Sequence, residues 1–405
     1  MFLTASVILA AIVVWSLVSG RLTRWYVTAP IALILLGMAA GWETSEPLID
    51  ALTSPGVERT VEVVLSLLLF LDALEVKDAP RSSRRGPVLR VLFLALPLSL
   101  IVMFFAAGVI LPELRLSLYL VLACILVPSD LAPASSLLKD ERIPLRVRNL
   151  LTAESGYNDA LVAPVFLFAL ALLGQGEHVE DPFAALGDLV PALFLALVVG
   201  GAVGAALGWG IKAAHTRGWA ELPALRLVTL AAPLLAYTLG MQVHANGFVA
   251  AFIAGMVFRT LAGDMLHELL EFTESVATFA IMPIWFVMGQ LTMLVLQAGP
   301  DWRVALVVLI ALTVGRAVPI LLATTPSALS WVERLTVAWL GPRGIASLVF
   351  ALLAIQEGDP EQNNLIVQTV VMLVFCSVML HGLTAPLIGR AFEKRRVTEG
   401  GSSAV

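Results

Sequence analysis

The stretch ESGYNDALVAP, residues 154–164, places Glu154, Asn158 and Asp159 in a run where the next charge is Glu177. Upstream, Ser129 and Asp130 lie between Pro128 and Pro133, again among apolar residues. Holding a charge at the centre of an apolar layer costs about 2.5–3.5 kcal/mol on insertion scales, so residues kept there are functional candidates. Asp130 and Asp159, with the hydroxyls of Ser129 and Ser155, form an all-oxygen set, the ligand type that hard cations select. Helical spacing then separates the acids of 154–164. Glu154 and Asn158 are four apart and share one face; Ser155 and Asp159 share the neighbouring face. At 3.6 residues per turn, Glu154 and Asp159 diverge by about 140°. They therefore need different partners. Two arginines also fall in apolar runs, Arg316 and Arg343. Each could neutralise a carboxylate and serve only to hold the bundle. That reading suits Glu154, with either arginine as its partner, and leaves Asp159 and Asp130 to take an ion.

The elements that carry these residues are membrane helices. Of the 405 residues, 59% are apolar and 14% charged, against roughly 25% charged in soluble domains. Mean hydropathy is +0.92. A spanning helix needs about 20 apolar residues, and the apolar runs follow one another without the alternation of a transmembrane barrel. About 13 can be drawn: 2–18, 25–41, 60–76, 88–111, 116–138, 150–174, 186–213, 223–242, 246–262, 272–296, 303–325, 331–356 and 363–389. The first is read as a retained span rather than a leader, since it lacks a basic start and Arg21 and Arg24 follow it. Cys124 and Cys376 fall inside runs and are expected to be unpaired core residues.

Lys and Arg set the orientation. Lys77, Arg81, Arg84, Arg85 and Arg90 follow the third run. Lys139, Arg142, Arg146 and Arg148 follow the fifth, Lys212 and Arg217 the seventh, and Arg390, Lys394, Arg395 and Arg396 the last. The alternate loops carry Glu43, Glu46 and Asp50, then Glu177, Glu180 and Asp181, then Glu357, Asp359 and Glu361. The weakest loop follows the ninth run, where Arg259 meets Asp264, Glu268 and Glu271. The expected topology has the N-terminus outside and the C-terminus in the cytoplasm of a plasma-membrane, multi-pass protein. The loops are short, so 1–405 is read as a single membrane domain.

Two runs are broken. Pro128 and Pro133 withdraw backbone donors in the fifth, and Gly341-Pro342-Arg343-Gly344 interrupts the twelfth. Proline kinks are common in membrane helices, but non-helical backbone at membrane depth survives only inside protein or along a cavity. Paired breaks mark the binding site of secondary transporters. An offset of seven runs reverses the direction, as an inverted repeat requires. The repeats would be about 2–174 and 223–389, joined by a linker helix at about 186–213, with a short tail at 390–405. Asp72 is placed near the cytoplasmic end of the third run. His244, Asn246 and His381 fit packing or helix–helix hydrogen bonds, and Gly200-Gly201 with Gly204, and Ala250 to Gly255, fit close helix contact.

Taken together, Val127-Pro128-Ser129-Asp130, Ile143-Pro144-Leu145-Arg146-Val147-Arg148 and Glu154-Ser155-Gly156-Tyr157-Asn158-Asp159 resemble the cation/proton antiporter superfamily, in its NhaP-like sodium/proton branch. Asn246-Gly247-Phe248 through Gly255, and Gly341-Pro342-Arg343-Gly344-Ile345-Ala346-Ser347, are similar to further stretches of that family. The resemblance implies a homodimeric antiporter of 13 helices whose core moves against a dimer part. It implies that Asp159 and Asp130 bind the cation, with Ser129 where the family usually has Thr. Ser155 and Glu154 would complete the site, Glu154 paired to an arginine. Asn158 matches an asparagine that is a second acid in the electrogenic branch.

These features lead to an expectation of sodium, or lithium, exchanged for protons, electroneutral and one for one. Cation and proton would compete at a coupled pair of carboxylates. Potassium in place of sodium is the alternative. An organic-anion carrier is disfavoured by the buried acids, and a channel would need no such gating. An intramembrane protease would need a nucleophile with a base or metal, and the five histidines offer no such pairing. The expected partners are monovalent cations, protons, lipids and a second copy of the chain. No cofactor and no nucleic acid are expected.

Overall fold

The computed structural model describes residues 2–41, 55–75, 85–112, 114–131, 134, 140–173, 182–325, 327–358 and 360–401. Among them the regular structure is helical throughout. Backbone polar groups in hydrocarbon must be satisfied within the segment, which a helix does. In chain order the helices are α1 (Phe2–Arg24), α2 (Ala29–Ala40), α3 (Pro55–Glu75), α4 (Arg85–Arg90), α5 (Leu96–Ile110), α6 (Leu116–Leu126) and α7 (Leu145–Leu173). There follow α8 (Pro182–Thr216), α9 (Leu222–Gln242), α10 (Gly247–Ala262), α11 (Leu266–Ala298), α12 (Trp302–Leu312), α13 (Val314–Thr324), α14 (Trp331–Trp339), α15 (Ile345–Glu357) and α16 (Pro360–Gly401). A π turn, Val91–Ala95, joins α4 to α5 just before Pro97, whose missing donor loosens the ladder.

A helix or a pair of half-helices lies within each apolar run. Among the described residues, eight stretches are long and apolar enough to cross a membrane, and Ala29–Ala40, Leu116–Leu126, Gly247–Ala262 and Ile345–Ile355 are shorter apolar helices. Leu17, Val109 and Phe183 are 81%, 80% and 85% exposed. Outward apolar faces of this kind suit lipid rather than water. The chain is a multi-pass membrane protein.

Small residues set the closest contacts. Gly200, Gly204 and Gly208 lie along one face of α8, where a Cβ would run into the backbone at Ala250 and Ala254 and the side chain of Leu261 on α10. The other face of α10 meets α3, with Gly255 against Phe70 and Ala73. Gly37 of α2 and Gly289 of α11 press on each other's helix in the same way. The sequence expectation of close packing at these stretches holds. Cys124 and Cys376 are free, as expected.

Both expected breaks are present. α6 ends at Leu126, and residues 128–130 are not helical; Ala132 and Pro133 lie outside the described residues. α14 and α15 are separated by residues 340–344. A further, shallower interruption at Thr313 divides α12 from α13. It sits just ahead of Arg316, where Gly315 packs on the sulfur of Met103. The short tail expected at 390–405 is helical as far as Gly401, as the end of α16. Nothing in Arg390-Ala391-Phe392-Glu393 stops a helix, Phe392 is buried, and Arg142 bonds Glu393 at 3.3 Å. His244 is not packed: it is exposed, in the turn between α9 and α10, with φ 57°. Asp72 is half-buried on α3. Of the residues used for orientation, Glu43, Glu46, Asp50, Lys77, Arg81, Arg84, Lys139, Glu177, Glu180, Asp181 and Asp359 lie outside the described ones.

Candidate functional site at the crossing of two broken helices

The two breaks meet. The Asp130 amide donates to the Pro342 carbonyl at 2.7 Å. In return, the Ile345 amide, first in α15, donates to Asp130 Oδ2 at 3.2 Å. A helix start carries unpaired N–H groups and partial positive charge, so it stabilises a carboxylate there. Ser347 on α15 donates to the Ile125 carbonyl of α6 at 2.7 Å. The glycines of the second break are there for space. A Cβ on Gly344 would strike the Asp130 carboxylate, and one on Gly341 would strike the Arg316 guanidinium.

The C-terminal ends of α6 and α14 leave carbonyls unpaired, and each end receives an arginine. Arg343, 2% exposed, donates through Nη1 to the carbonyls of Val127 and Pro128 and through Nη2 to that of Ala311 at 3.4 Å. Arg316 donates through Nη2 to the carbonyls of Val337 (3.2 Å) and Leu340 (3.0 Å). Its guanidinium also grips Glu154, Nη1 to Oε1 at 2.5 Å and Nη2 to Oε2 at 2.8 Å. The open question of Glu154's partner is thus resolved in favour of Arg316. The reading that each arginine neutralises a carboxylate holds for Arg316 and needs correction for Arg343, whose bonds go to carbonyl oxygens at helix ends. α14 is itself pinned at its start. Ser330 caps it in a reciprocal pair with Glu333, and Glu333 Oε1 accepts from Arg146 of α7 at 2.5 Å.

On α7 the acids part as the spacing predicts. Glu154 turns to Arg316. Asp159 instead lines a cavity of about 10 Å3 with Phe166, Asn246, Phe248, Ala346 and Phe350, near the smallest volume that holds one water. It is 8% exposed. Its Oδ1 is buried without a hydrogen bond among the described residues. Ser129 gathers the rest. Asn158 Nδ2 donates to its carbonyl and to its Oγ, both at 2.8 Å, and Ser129 Oγ donates to Glu154 Oε1 at 3.3 Å. Ser155 Oγ donates to the Ser129 carbonyl and accepts from the Leu131 amide, both at 3.3 Å. Ser129, Glu154, Ser155, Asn158 and Arg316 are therefore joined by hydrogen bonds, with Asp130 and Arg343 on the crossed break peptides beside them and Asp159 next to Asn158 on α7.

Near it lie Ser377, which the sequence reading did not single out, and His381, expected in packing or helix–helix hydrogen bonds. Ser377 Oγ accepts from the Arg343 amide at 2.7 Å, and His381 stands 3.1 Å from that oxygen and 3.0 Å from the Trp339 carbonyl. Their i, i+4 spacing in an apolar helix was the available signal. Asn246 does more than pack: its Oδ1 caps α10 through the Val249 amide at 2.9 Å.

The fold and the sequence have counterparts among known proteins. The fold is similar to the sodium proton antiporter MjNhaP1 from Methanocaldococcus jannaschii, with TM-score 0.74 and 20% identity, over 94% of this chain and 99% of that one. In sequence the chain is 27% identical over 374 residues to the Na(+)/H(+) antiporter NhaH of Halobacillus dabanensis, covering 88% of this chain and 90% of that protein. It is 23% identical over 280 residues to the K(+)/H(+) antiporter NhaP of Alkalimonas amylolytica, covering 67% of this chain and 46% of that one. Residues 7–391 match the family described as "Sodium/hydrogen exchanger, transmembrane". With a match over nearly its whole length, the chain belongs to the transmembrane sodium/hydrogen exchanger family.

Proposed function

We propose that this protein is a monovalent cation/proton antiporter, exchanging sodium, or lithium, for protons, with Asp159 and Asp130 as the residues that hold the cargo. The observation that carries this reading is the buried, unbonded Oδ1 of Asp159 beside a second acid fixed at a helix start. A carboxylate in so dry a place, with a second acid at the same crossing, cannot stay charged at low cost without a partner, so a proton and a metal ion exclude each other there. Ser129 and Ser155 supply oxygens at the rim. Glu154, held by Arg316, fixes the geometry of α7 and completes the oxygen set through Ser129. Membership of the exchanger family and the likeness to NhaH support the same reading.

Stoichiometry follows from the charges. Asn158 adds an amide committed to Ser129 where an acid would add a titrating charge. One cation therefore replaces one proton, and exchange is electroneutral. We further propose 13 crossings in two inverted repeats, about 2–174 and 223–389, with α8 between them. The N-terminus would be outside, the C-terminus in the cytoplasm of the plasma membrane, and the unit a homodimer in lipid.

Purified protein in vesicles with a pH gradient tests the proposal, with sodium, lithium and potassium added in turn. Dissipation by sodium and lithium, unaffected by an imposed potential, is the expected result; a potassium-only response transfers the function to potassium/proton exchange. Asp159→Asn abolishes exchange. Full activity in that variant sinks the assignment.

A further inference from the structure

We propose that His381 is a positioning residue for the cation site, clamping the two sides of the break between α14 and α15 so that the peptide carrying Asp130 keeps its place. This rests on the transport reading above. His381 is fully buried on α16. Its Nε2 faces the Trp339 carbonyl at 3.0 Å, and its Nδ1 faces Ser377 Oγ at 3.1 Å and the Ser377 carbonyl at 2.9 Å. A neutral imidazole has one N–H and one lone pair. With the proton on Nδ1, the Nε2 lone pair would point at the Trp339 carbonyl oxygen. With the proton on Nε2, the Arg343 amide donates to Ser377 Oγ, the Ser377 hydroxyl donates to Nδ1, and Nε2–H donates to Trp339; the Ser377 carbonyl, 2.9 Å from Nδ1, then receives nothing from the ring. The link from α16 to the Trp339 carbonyl thus requires the proton on Nε2.

That chain spans the break. Trp339 is the last residue of α14, and Arg343 lies just ahead of α15. Thr384, also on α16, holds the Trp339 indole Nε1 at 3.0 Å. From the clamped peptide, Pro342 accepts the Asp130 amide and the Arg343 side chain holds Val127 and Pro128. Ser377 and His381 therefore act on Asp130 through two residues and touch no cargo themselves. They stand as an outer shell to the acids that do, as second partners fix the ligands of a metal site.

The test is sodium/proton exchange in vesicles for His381→Ala, His381→Gln and Ser377→Ala, reading apparent KM for sodium and maximal rate, with thermal unfolding in detergent alongside. Outer-shell losses cost about 10–100-fold in metal affinity, so His381→Ala raises the apparent KM about tenfold. Gln returns an N–H toward Trp339, and His381→Gln brings KM back to within about threefold of the starting value. Ser377→Ala removes the link itself and raises KM in the same direction; the double variant adds little to either single change, as for residues in one network. Should His381→Ala not fold, Ser377→Ala, a smaller change, carries the test. Unchanged KM in Ser377→Ala, or a KM rise in His381→Gln as large as in His381→Ala, overturns the clamp. Asp159→Asn separates the two levels. If it is silent while KM stays unchanged in the clamp variants, only this inference fails; if it is active, the transport assignment fails first.

Discussion

The two broken helices solve one problem with different means. Both α6 and α14 end inside the protein with unpaired carbonyls, and both ends receive a guanidinium. The arginine at α14 is already neutralised, since Arg316 is held by both oxygens of Glu154. The arginine at α6, Arg343, gives its bonds to carbonyls, so no bonded carboxylate cancels its charge. The first arrangement is a strut. The second leaves a net charge beside the acids, which lowers the cost of holding two carboxylates in a dry place while one of them waits for a cation. Similar residues at similar helix ends thus differ in what they contribute to transport.

The comparison predicts a different outcome at each arginine. Glu154→Leu leaves Arg316 buried and unpaired, and removing one member of a buried pair costs about 3–5 kcal/mol. Unfolding in detergent should show that loss, and Glu154→Leu combined with Arg316→Met should recover part of it. A double variant as unstable as the single one would remove the strut from the comparison. Arg343→Gln loses charge-assisted bonds to carbonyls, each contributing about 1.5–3 kcal/mol, but a neutral amide can reach part of the same set. It should destabilise less than Glu154→Leu and also weaken sodium binding. Loss of binding at full stability would show that Arg343 acts on the cation alone and caps nothing.

The two glycines of the second break sharpen the contrast at smaller cost. Gly341 faces the strut and Gly344 faces Asp130. Overpacking by one methyl costs typically about 1–3 kcal/mol. Gly341→Ala should therefore appear in the unfolding midpoint with KM for sodium little changed. Gly344→Ala should raise KM, because the Asp130 carboxylate must move off the Ile345 amide. If both substitutions change only stability, the site does not divide along this line.

Much of this was legible in the sequence, and the reasons are local. Apolar runs gave the helices. Pro128 and Gly341-Pro342 marked the breaks, and 3.6-residue spacing separated Glu154 from Asp159. What could not be read were contacts between distant segments. Glu154 and Arg316 are 162 positions apart, and one sequence contains nothing that prefers Arg316 to Arg343. That Arg343 serves carbonyls follows from which helix ends are brought beside it. The interruption at Thr313 has only Gly315 and Pro319 as local signals, both ordinary in membrane helices. The helical continuation of α16 past Arg390 has no local mark beyond the absence of a breaker, and its charge pattern also fits a solvated tail.

The smallest effect belongs to an ion pair outside the membrane-spanning helices. Asp140 and Arg142 meet at 2.7 Å, close to Gly389 on α16, so they contain the same kind of charges as the buried strut but in contact with water. The hydrogen bond from the Arg142 side chain holds the Asp140 carboxyl below its ordinary range. A group whose folded pKa is lowered stabilises the fold above its unfolded pKa, about 3.9 for Asp, and loses that contribution as pH falls through the folded value. A partly exposed pair of this type is worth about 0.2–1 kcal/mol, as surface pairs are. The stability difference between the unmodified protein and Asp140→Asn should therefore be small and constant from pH 7 down to about pH 5, and should fade below about pH 4. It should also shrink with added salt, to which the enclosed Glu154–Arg316 pair responds little. A difference that stays constant into strong acid, or that ignores salt, would mean the Asp140 side chain acts through packing against α16 rather than through its charge.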